Sequence, residues 1–221
     1  MIEYIDDLVQ TNLFSGIEPK EIAELLDCVH ARCAQYEKDE LIIEEGNRVY
    51  EFGIMLSGRG RSIKWDASDK IIIITMLQNG SEIGVLLAAS PEHESPVSVQ
   101  AQDDVSVLFI PYDRLLARCR KACPKHERLL RNFIGIVAEK GLVLHDRISC
   151  LLKPTVREKI ISYLLRVSHE QQSRTFSLLL NRNEMSEYLN IERSALSREL
   201  SYMKKDGLID YHRNSFRLID I

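Results

Sequence analysis

The sequence predicts an α+β protein: an N-terminal antiparallel β-roll, jelly-roll-like in its strand spacing, then a long helix and a winged helix-turn-helix. Three observations lead to this fold class. Apolar residues recur with a period of two between residues 33 and 111, a heptad-like spacing runs from 124 to 152, and two short helical patterns near the C-terminus flank a tight turn. We therefore divide the chain into residues 1–123, 124–153 and 154–221.

The first part has the pattern of a roll of short strands. Six of the ten glycines fall between Gly46 and Gly84, and residues 66–69 have the composition of a hairpin turn. Short strands joined by glycine turns are typical of an antiparallel barrel or roll. An amphipathic helix is expected from near Pro19, and another helix, over 112–123, leads out of the roll. The strand-like runs are 41–43, 52–56, 71–77, 97–99 and 105–107.

The long helix carries two apolar stripes. The first, called the seam below, has alternating spacings of four and three, as in a coiled coil. Two stripes need two partners, so we expect the helix to pair with its own copy through the seam and to cover a domain with the other stripe. A core helix buried within one subunit is the alternative. The seam is Leu130, Ile134, Val137, Gly141, Leu144, Ile148 and Leu151; the second stripe is Leu129, Phe133, Ile136, Val143 and Cys150.

Gly141 is unusual within this helix. A glycine inside a helix costs about 1 kcal/mol relative to alanine. It either permits close approach of a second backbone at the seam or marks a point where the helix bends.

The C-terminal part has the pattern of a helix-turn-helix. A capping box at Asn181 opens one helix, Asn190 suits a tight turn, and a second helix is expected over 192–206 with Gly207 at its end. The expected inner face consists of Met185, Leu189, Ile191, Leu196, Leu200 and Met203.

The outward face of the second helix is polar and suits a DNA groove. In a helix-turn-helix the second helix enters the major groove, where arginine pairs with guanine and serine reaches bases or phosphates. The strands at 208–211 and 215–219 would form a wing with His212 at its tip. A three-helix scaffold with a merely solvated polar face is the alternative. The candidate DNA-binding residues are Arg182, Arg193, Ser194, Ser197, Arg198, Lys204 and Arg213.

Composition and charge agree with a DNA-binding protein but do not establish one. Residues 1–153 hold 18 basic against 24 acidic residues, and residues 154–221 hold 11 against 9. The apolar content of 45% is ordinary for a soluble domain, and no run approaches the length of a membrane helix. The acidic N-terminus does not resemble a signal peptide, so we expect a cytoplasmic protein. Five irregularly spaced cysteines argue against a disulfide framework.

The string NRNEMSEYLNIERSALSRELSYMKKDGLI resembles the winged helix-turn-helix of the CRP/FNR family of bacterial transcription regulators. The segments LFSGIEP, KDELIIEEGN, FGIMLSGRGR and NGSEIGVLLA resemble that family's cyclic-nucleotide-binding-type β-roll. The resemblance spans nearly the whole chain in the right order. It implies a homodimeric regulator, not an enzyme, that responds to an effector in the roll and binds a palindromic operator. RNA polymerase is a candidate partner.

The chain departs from the family pattern where cyclic AMP would bind. Family members that bind it carry glutamate at the position of Val85 and an Arg-Ser pair where this chain has Ser95-Pro96, so a buried phosphate would lack its partner. Leu144 and His145 stand where those members touch the purine. We expect no cyclic AMP binding, but another effector in the same cleft. The candidate pocket residues are Gly84, Val85, Leu86, Ser95, Val97 and His145.

Cofactors are not expected. The iron–sulfur branch of the family has a cysteine group near the N-terminus, whereas the first cysteine here is Cys28, and Cys33 follows too far on for a CxxC pair. His145 could ligate haem only with a second ligand facing it. A cupin-like small-molecule-binding protein is a distant alternative, because such sites need clustered histidines and the roll offers His93 alone.

One alternative mode of regulation rests on two cysteines. Cys119 and Cys123 are four residues apart on an expected helix, with His126 nearby. Three neighbouring basic residues, Arg118, Arg120 and Lys121, favour the reactive thiolate form. A redox-responsive regulator using this pair therefore stays open. We predict no catalytic residues and no metal ligands.

Overall fold

A computed structural model describes residues 4–65, 71–117 and 123–221. The described residues of Met1–Lys64 and Thr75–Gly141 form one compact unit, and those of Trp65–Ile74 and Leu142–Ile221 form a second. The dividing point falls between Gly141 and Leu142, inside the long helix. The boundaries predicted from the sequence, at 123 and 153, stay a prediction.

Residues 32–111 contain two four-stranded antiparallel sheets, in the orders β1-β8-β3-β6 and β2-β7-β4-β5, which lie in the first unit except for Trp65 and Ile71–Ile74. This confirms the predicted antiparallel sheet domain. The strands are β1 (Arg32–Tyr36), β2 (Leu41–Ile43), β3 (Glu51–Ser57), β4 (Gly60–Trp65), β5 (Ile71–Leu77), β6 (Glu82–Ile83), β7 (Ser98–Ala101) and β8 (Val105–Pro111). The helices are α1 (Ile5–Val9), a short 3-10 helix (Asn12–Phe14), α2 (Pro19–Cys28), α3 (Val85–Ala88) and α4 (Tyr112–Leu116).

Strand β8 shows why alternating apolar residues produce this core. Successive side chains of a strand point to opposite faces of the sheet. Leu108 and Ile110 pack in a cluster with α1, α2 and the long helix, whereas Val107 and Phe109 pack with residues of β2 and β7 from the other sheet. The two sheets therefore face each other across the second cluster, and helices cover the outer face of the first sheet.

The long helix α5 extends over Pro124–Leu151, as the heptad-like spacing predicts. In its first half the second stripe is buried, with Leu129, Phe133 and Ile136 at most 3% exposed, but Val143 is 37% exposed. Val143 therefore departs from the prediction that this stripe covers a domain, whereas Cys150, at 6% exposed, does not. The seam is partly open: Ile134 and Ile148 are 59% and 58% exposed, whereas Leu130 and Val137 are half-buried against the cluster that contains Leu108 and Ile110. The alternative of a core helix buried within one subunit does not fit these exposures.

The helix predicted to lead out of the roll and the hairpin turn predicted within it have different outcomes. The helix predicted over 112–123 is shorter, because α4 ends at Leu116 and Ala117 adopts an extended conformation with ψ of 133°. The hairpin turn predicted at residues 66–69 lies outside the described residues, as do Arg118, Cys119, Arg120 and Lys121.

The second unit contains the predicted helix-turn-helix and a wing. Its elements after α5 are α6 (Val156–Glu170), β9 (Thr175–Ser177), α7 (Arg182–Tyr188), α8 (Arg193–Lys205), β10 (Ile209–His212) and β11 (Ser215–Leu218). The wing has three antiparallel strands in the order β10-β11-β9, one more than predicted. Strand β9 is three residues long, too short for a recognisable alternation. Of the helices that the structure describes, none is long and apolar enough to cross a membrane.

Candidate nucleic-acid interface

Helix α7 begins where the capping box predicts. The side-chain oxygen of Asn181 accepts hydrogen bonds from the backbone N–H groups of Asn183 at 2.9 Å and Glu184 at 3.1 Å. The Glu184 carboxylate accepts in return from the backbone N–H of Asn181 at 2.8 Å. These bonds satisfy backbone donors that lack a partner inside the helix. The start of α7 is thereby fixed by local sequence.

The turn between α7 and α8 uses the predicted asparagine. Asn190 has a φ of +49°, in the left-handed region that asparagine tolerates. The backbone N–H of Ile191 then donates to the carbonyl oxygen of Ser186 at 2.9 Å. Met185, Leu189, Leu196, Leu200 and Met203 are each at most 1% exposed and Ile191 is 7% exposed, so all six residues of the predicted inner face are buried. The outward direction of α8 follows from this packing.

Arg193, Ser194, Ser197 and Arg198 are all exposed on α8. Residues spaced by one, four and five positions share one side of a helix, so the four form a continuous polar surface. The structure thus brings these four predicted residues together. Their contacts with DNA stay a prediction.

Glu192, directly before α8, contacts the predicted DNA-binding residue Ser194 and was expected from the sequence only as the start of the helix. Its carboxylate accepts from the Ser194 hydroxyl and from the backbone N–H of Ala195 at 2.9 Å. These hydrogen bonds, from the Ser194 hydroxyl first, lower the pKa of Glu192 to about 2. Serine, threonine, aspartate and asparagine are the common residues at this position and glutamate is not, so no capping pattern in the sequence indicates this contact.

Lys204 connects α8 to the wing. Its ammonium lies 2.6 Å from a carboxylate oxygen of Asp210, donates to the carbonyl oxygen of Tyr211 at 3.3 Å and lies 5.3 Å from the Tyr211 ring centroid. The hydrogen bond from Lys204 lowers the pKa of Asp210. Part of the charge predicted to face DNA is therefore balanced within the protein.

Arg182 and Arg213 occupy different environments. Arg182 is half-buried, and burial lowers the pKa of its guanidinium. It donates to the Arg213 carbonyl oxygen at 2.8 Å and lies over the rings of Tyr211 and Phe216. Arg213 itself is exposed at the tip of the β10–β11 hairpin. The structure therefore gives Arg182 a role in positioning the wing, while the Arg213 side chain is accessible.

Two further arginines, not singled out from the sequence, hold this unit together. Arg157 on α6 lies 2.5 Å from Glu199 and 2.8 Å from Asp206, which join α6 to α8. Arg147, only 8% exposed, donates to the carbonyl oxygens of Ile73 and Ile74 and lies 4.3 Å from the ring centroid of Tyr188. A single buried arginine whose partners are backbone carbonyl oxygens is not part of a repeating sequence pattern. The sequence alone therefore does not indicate it.

The six candidate effector-pocket residues have different environments, and effector binding at them stays a prediction. Val85 is 3% exposed and belongs to a core cluster. Ser95 is 1% exposed, and its hydroxyl donates to the carbonyl oxygen of Val97 at 2.6 Å. Gly84 has a φ of +69°, and a Cβ there would lie 3.2 Å from Val49, so glycine is needed before α3. Leu86 is half-buried, and His145 is exposed in the second unit.

A different opening exists in the first unit. A cavity of about 510 Å³ is lined by residues 41–44 and 47–51 together with Arg32, Tyr36 and Phe109. Arg32 donates to the Glu51 carboxylate at 3.0 Å at its edge. Gly84, Val85, Leu86, Ser95 and Val97 do not line this cavity.

Cys119 lies outside the described residues, and the redox role of the Cys119 and Cys123 pair stays a prediction. Cys123 is half-buried. The Nε2 atom of His126 lies 2.7 Å from the Leu115 carbonyl oxygen and must donate to it, since a carbonyl only accepts. Within residues 4–65, 71–117 and 123–221, no group of three or more His, Cys, Asp or Glu side chains is arranged to hold a metal ion.

Two family models match the chain. Residues 33–122 match the cyclic nucleotide-binding domain, and residues 158–221 match the Crp-like helix-turn-helix domain. The first match covers most of the strands of the two four-stranded sheets, and the second covers most of α6, α7, α8 and the wing.

Two curated relatives align over most of the chain. The transcriptional activator protein anr of Pseudomonas aeruginosa is 26% identical over 209 residues, covering 90% of this chain and 82% of that protein. The transcriptional activator protein FnrA of Stutzerimonas stutzeri is 25% identical over 203 residues, covering 89% and 80%.

Solved structures share the fold. A CooA mutant from Carboxydothermus hydrogenoformans has a TM-score of 0.70 at 17% identity, with 96% of this chain and 95% of that one covered. The global regulator CLP of Xanthomonas campestris, described as c-di-GMP responsive, has a TM-score of 0.69 at 18% identity, with 91% and 99% covered. The order of a cyclic nucleotide-binding-type domain, a long helix and a Crp-like helix-turn-helix shows that this chain belongs to the CRP/FNR family of transcription regulators.

Proposed function

We propose that the protein acts as a homodimer that binds a two-fold symmetric operator and is controlled by an effector other than cyclic AMP. The observation that carries the proposal is the polar face of α8, where Arg193 and Arg198 are exposed beside Ser194 and Ser197. Arginine donates bidentately to guanine in the major groove, and the first turns of a recognition helix reach the base edges. The packing of α7 against α8 holds this face outward.

The seam of α5 supports the homodimer. Ile134 and Ile148 are more than half exposed, Leu144 is 39% exposed, and Leu152 just beyond the helix is 77% exposed. Burying an isoleucine or leucine side chain stabilises an association by about 1.5–3 kcal/mol. A Cβ added at Gly141 would meet nothing within 4 Å in this chain, so nothing in the subunit requires glycine there. A second α5 packed closely along the seam accounts for both features.

An effector other than cyclic AMP is supported by the positions that the nucleotide would need. Val85 is packed in the core, and the Ser95 hydroxyl is bound to a neighbouring carbonyl oxygen. A cyclic phosphate buried beside them would lack a charged partner, which is costly.

Selection of wild-type protein on a random duplex library tests the proposal. We expect enrichment of inverted half-sites whose centres lie about 10 bp apart, the spacing of successive major grooves. Sedimentation in the absence of DNA should give twice the mass of one chain. Enrichment of single, unpaired sites by a monomer would contradict the proposal.

A further inference from the structure

The start of α8 contains a hydrogen-bonded pair, Glu192 and Ser194. Both side chains are exposed. Ser194 lies on the side of the helix that carries Arg193 and Arg198. The Glu192 carboxylate accepts the Ser194 hydroxyl and also the backbone N–H of Ala195 at 2.9 Å. Ser194 is thus held by a partner within the protein before any ligand arrives.

The direction of this hydrogen bond is determined by charge. The Ser194 hydroxyl, followed by the backbone donors around Glu192, holds the pKa of its carboxyl at about 2, so the group carries no proton near neutral pH. An ionised carboxylate only accepts, whereas a hydroxyl has one proton and two lone pairs. The proton between the two side chains must therefore come from Ser194. The part of the Ser194 Oγ atom that faces away from Glu192 then carries only lone pairs, so it can accept a hydrogen bond but cannot donate one.

We infer that the hydrogen bond to Glu192 makes Ser194 act toward DNA only as a hydrogen-bond acceptor. Ser194 then selects a base that presents an exocyclic amine in the major groove. The inference rests on the proposed binding of α8 to DNA. Cytosine N4 and adenine N6 are the amine donors in that groove, whereas guanine and thymine present acceptors at the corresponding atoms. A free serine could rotate and donate to those acceptors, so serine alone discriminates poorly.

The neighbouring side chains make this acceptor distinct. Arg193 and Arg198 have donors only and suit guanine. The Ser194 oxygen places an acceptor between them on the same exposed face. Glu192 thereby acts as a positioning residue, because it acts through the Ser194 hydroxyl.

The test is a selection on a random duplex library with wild-type protein and four variants. Glu192→Asn keeps a residue favoured at a helix N-cap and removes the charge. Ser194→Ala removes the reader, and the double variant measures their coupling. Asp220→Asn removes one negative charge from an exposed residue near the C-terminus and serves as the control for net charge.

Wild type should favour cytosine or adenine at one position of the site by roughly two- to tenfold, the ratio that a single hydrogen bond supplies. Glu192→Asn should lower that ratio at this position only, and Ser194→Ala should remove it. Within the Ser194→Ala background, Glu192→Asn should change nothing further at that position. Asp220→Asn should leave the wild-type preference intact.

Two outcomes would overturn the inference while leaving the proposed function standing. In one, wild type selects a symmetric site but Glu192→Asn keeps the same preference at every position. In the other, Glu192→Asn shifts the preference equally with and without Ser194, which would make Glu192 itself the reader. Failure of wild type to select any sequence would overturn the proposed function together with the inference.

Discussion

The guanidinium of Arg182 donates a hydrogen bond to the backbone carbonyl oxygen of Arg213 at 2.8 Å. It also lies 4.8 Å from the ring centroid of Phe216 and 5.0 Å from that of Tyr211. Arg213 has a φ of +53°, a conformation that L-residues adopt at a cost. The first residue of α7 therefore fixes the tip of the wing.

Replacing Arg182 should loosen this arrangement. We expect Arg182→Met to lower the free energy of unfolding by about 1.5–3 kcal/mol, the range for a hydrogen bond made by a charged group. Chemical denaturation followed by circular dichroism measures the change. Arg217→Met, at an exposed position of β11, is the matched control and should lie within about 0.5 kcal/mol of wild type. Equal losses in both variants would show that the contact with Arg213 does not stabilise the wing.

The exposed seam of α5 predicts that charged substitutions along it prevent dimerisation. We expect the double substitution Ile134→Asp and Ile148→Asp to convert the proposed dimer into a monomer, because each aspartate would face apolar surface or its own copy. Both side chains are more than half exposed in the chain, so the fold of the subunit should survive. Analytical ultracentrifugation and circular dichroism give the two readouts.

The control for the seam lies on the same helix. Arg131→Asp changes an exposed residue on α5 outside the seam and should leave the mass unchanged. A folded double variant that still sediments as a dimer would place the interface elsewhere.

The heptad spacing predicted the length of α5 and its open face, since both depend on periodicity alone. The capping box at Asn181 and the turn at Asn190 were likewise predictable, because their hydrogen bonds are made within a few residues. Arg147 and Arg157 could not be foreseen, since their partners are carbonyl oxygens and carboxylates distant in sequence. The pair of Glu192 and Ser194 is local, but glutamate is an uncommon N-cap and its pattern indicates no contact by itself.

The burial of Val85 predicts that the protein does not bind cyclic AMP. Val85 is 3% exposed in an apolar cluster, so it offers no acceptor for a ribose hydroxyl. Calorimetric titration with millimolar cyclic AMP should give no saturable heat, and affinity for the selected DNA should be unchanged. A micromolar dissociation constant would contradict this interpretation of the roll.

Lys204 should contribute to DNA affinity through its charge alone. We expect Lys204→Ala to weaken all DNA sequences alike and to reduce the slope of log K against log salt by about 1, as for the loss of one phosphate contact. The ion pair with Asp210 competes for the same ammonium, so Asp210→Asn should strengthen binding to all sequences. Affinities for specific and nonspecific duplexes, measured across a salt series, decide this. A change confined to the specific duplex would assign Lys204 to base reading instead.

The most direct test of the central claim is the sequence preference of Arg193→Ala, measured by affinity for the selected duplex and for each single-base variant of it. Arg193 lies exposed in the first turn of α8. If α8 is the reading helix, the substitution should cost about 1–3 kcal/mol on the best site and relax the preference at one base pair per half-site. Arg131→Ala, exposed on α5, should change neither quantity. An Arg193→Ala protein that keeps the same preferred sequence and the same specificity ratio would contradict the assignment of α8 as the reading helix.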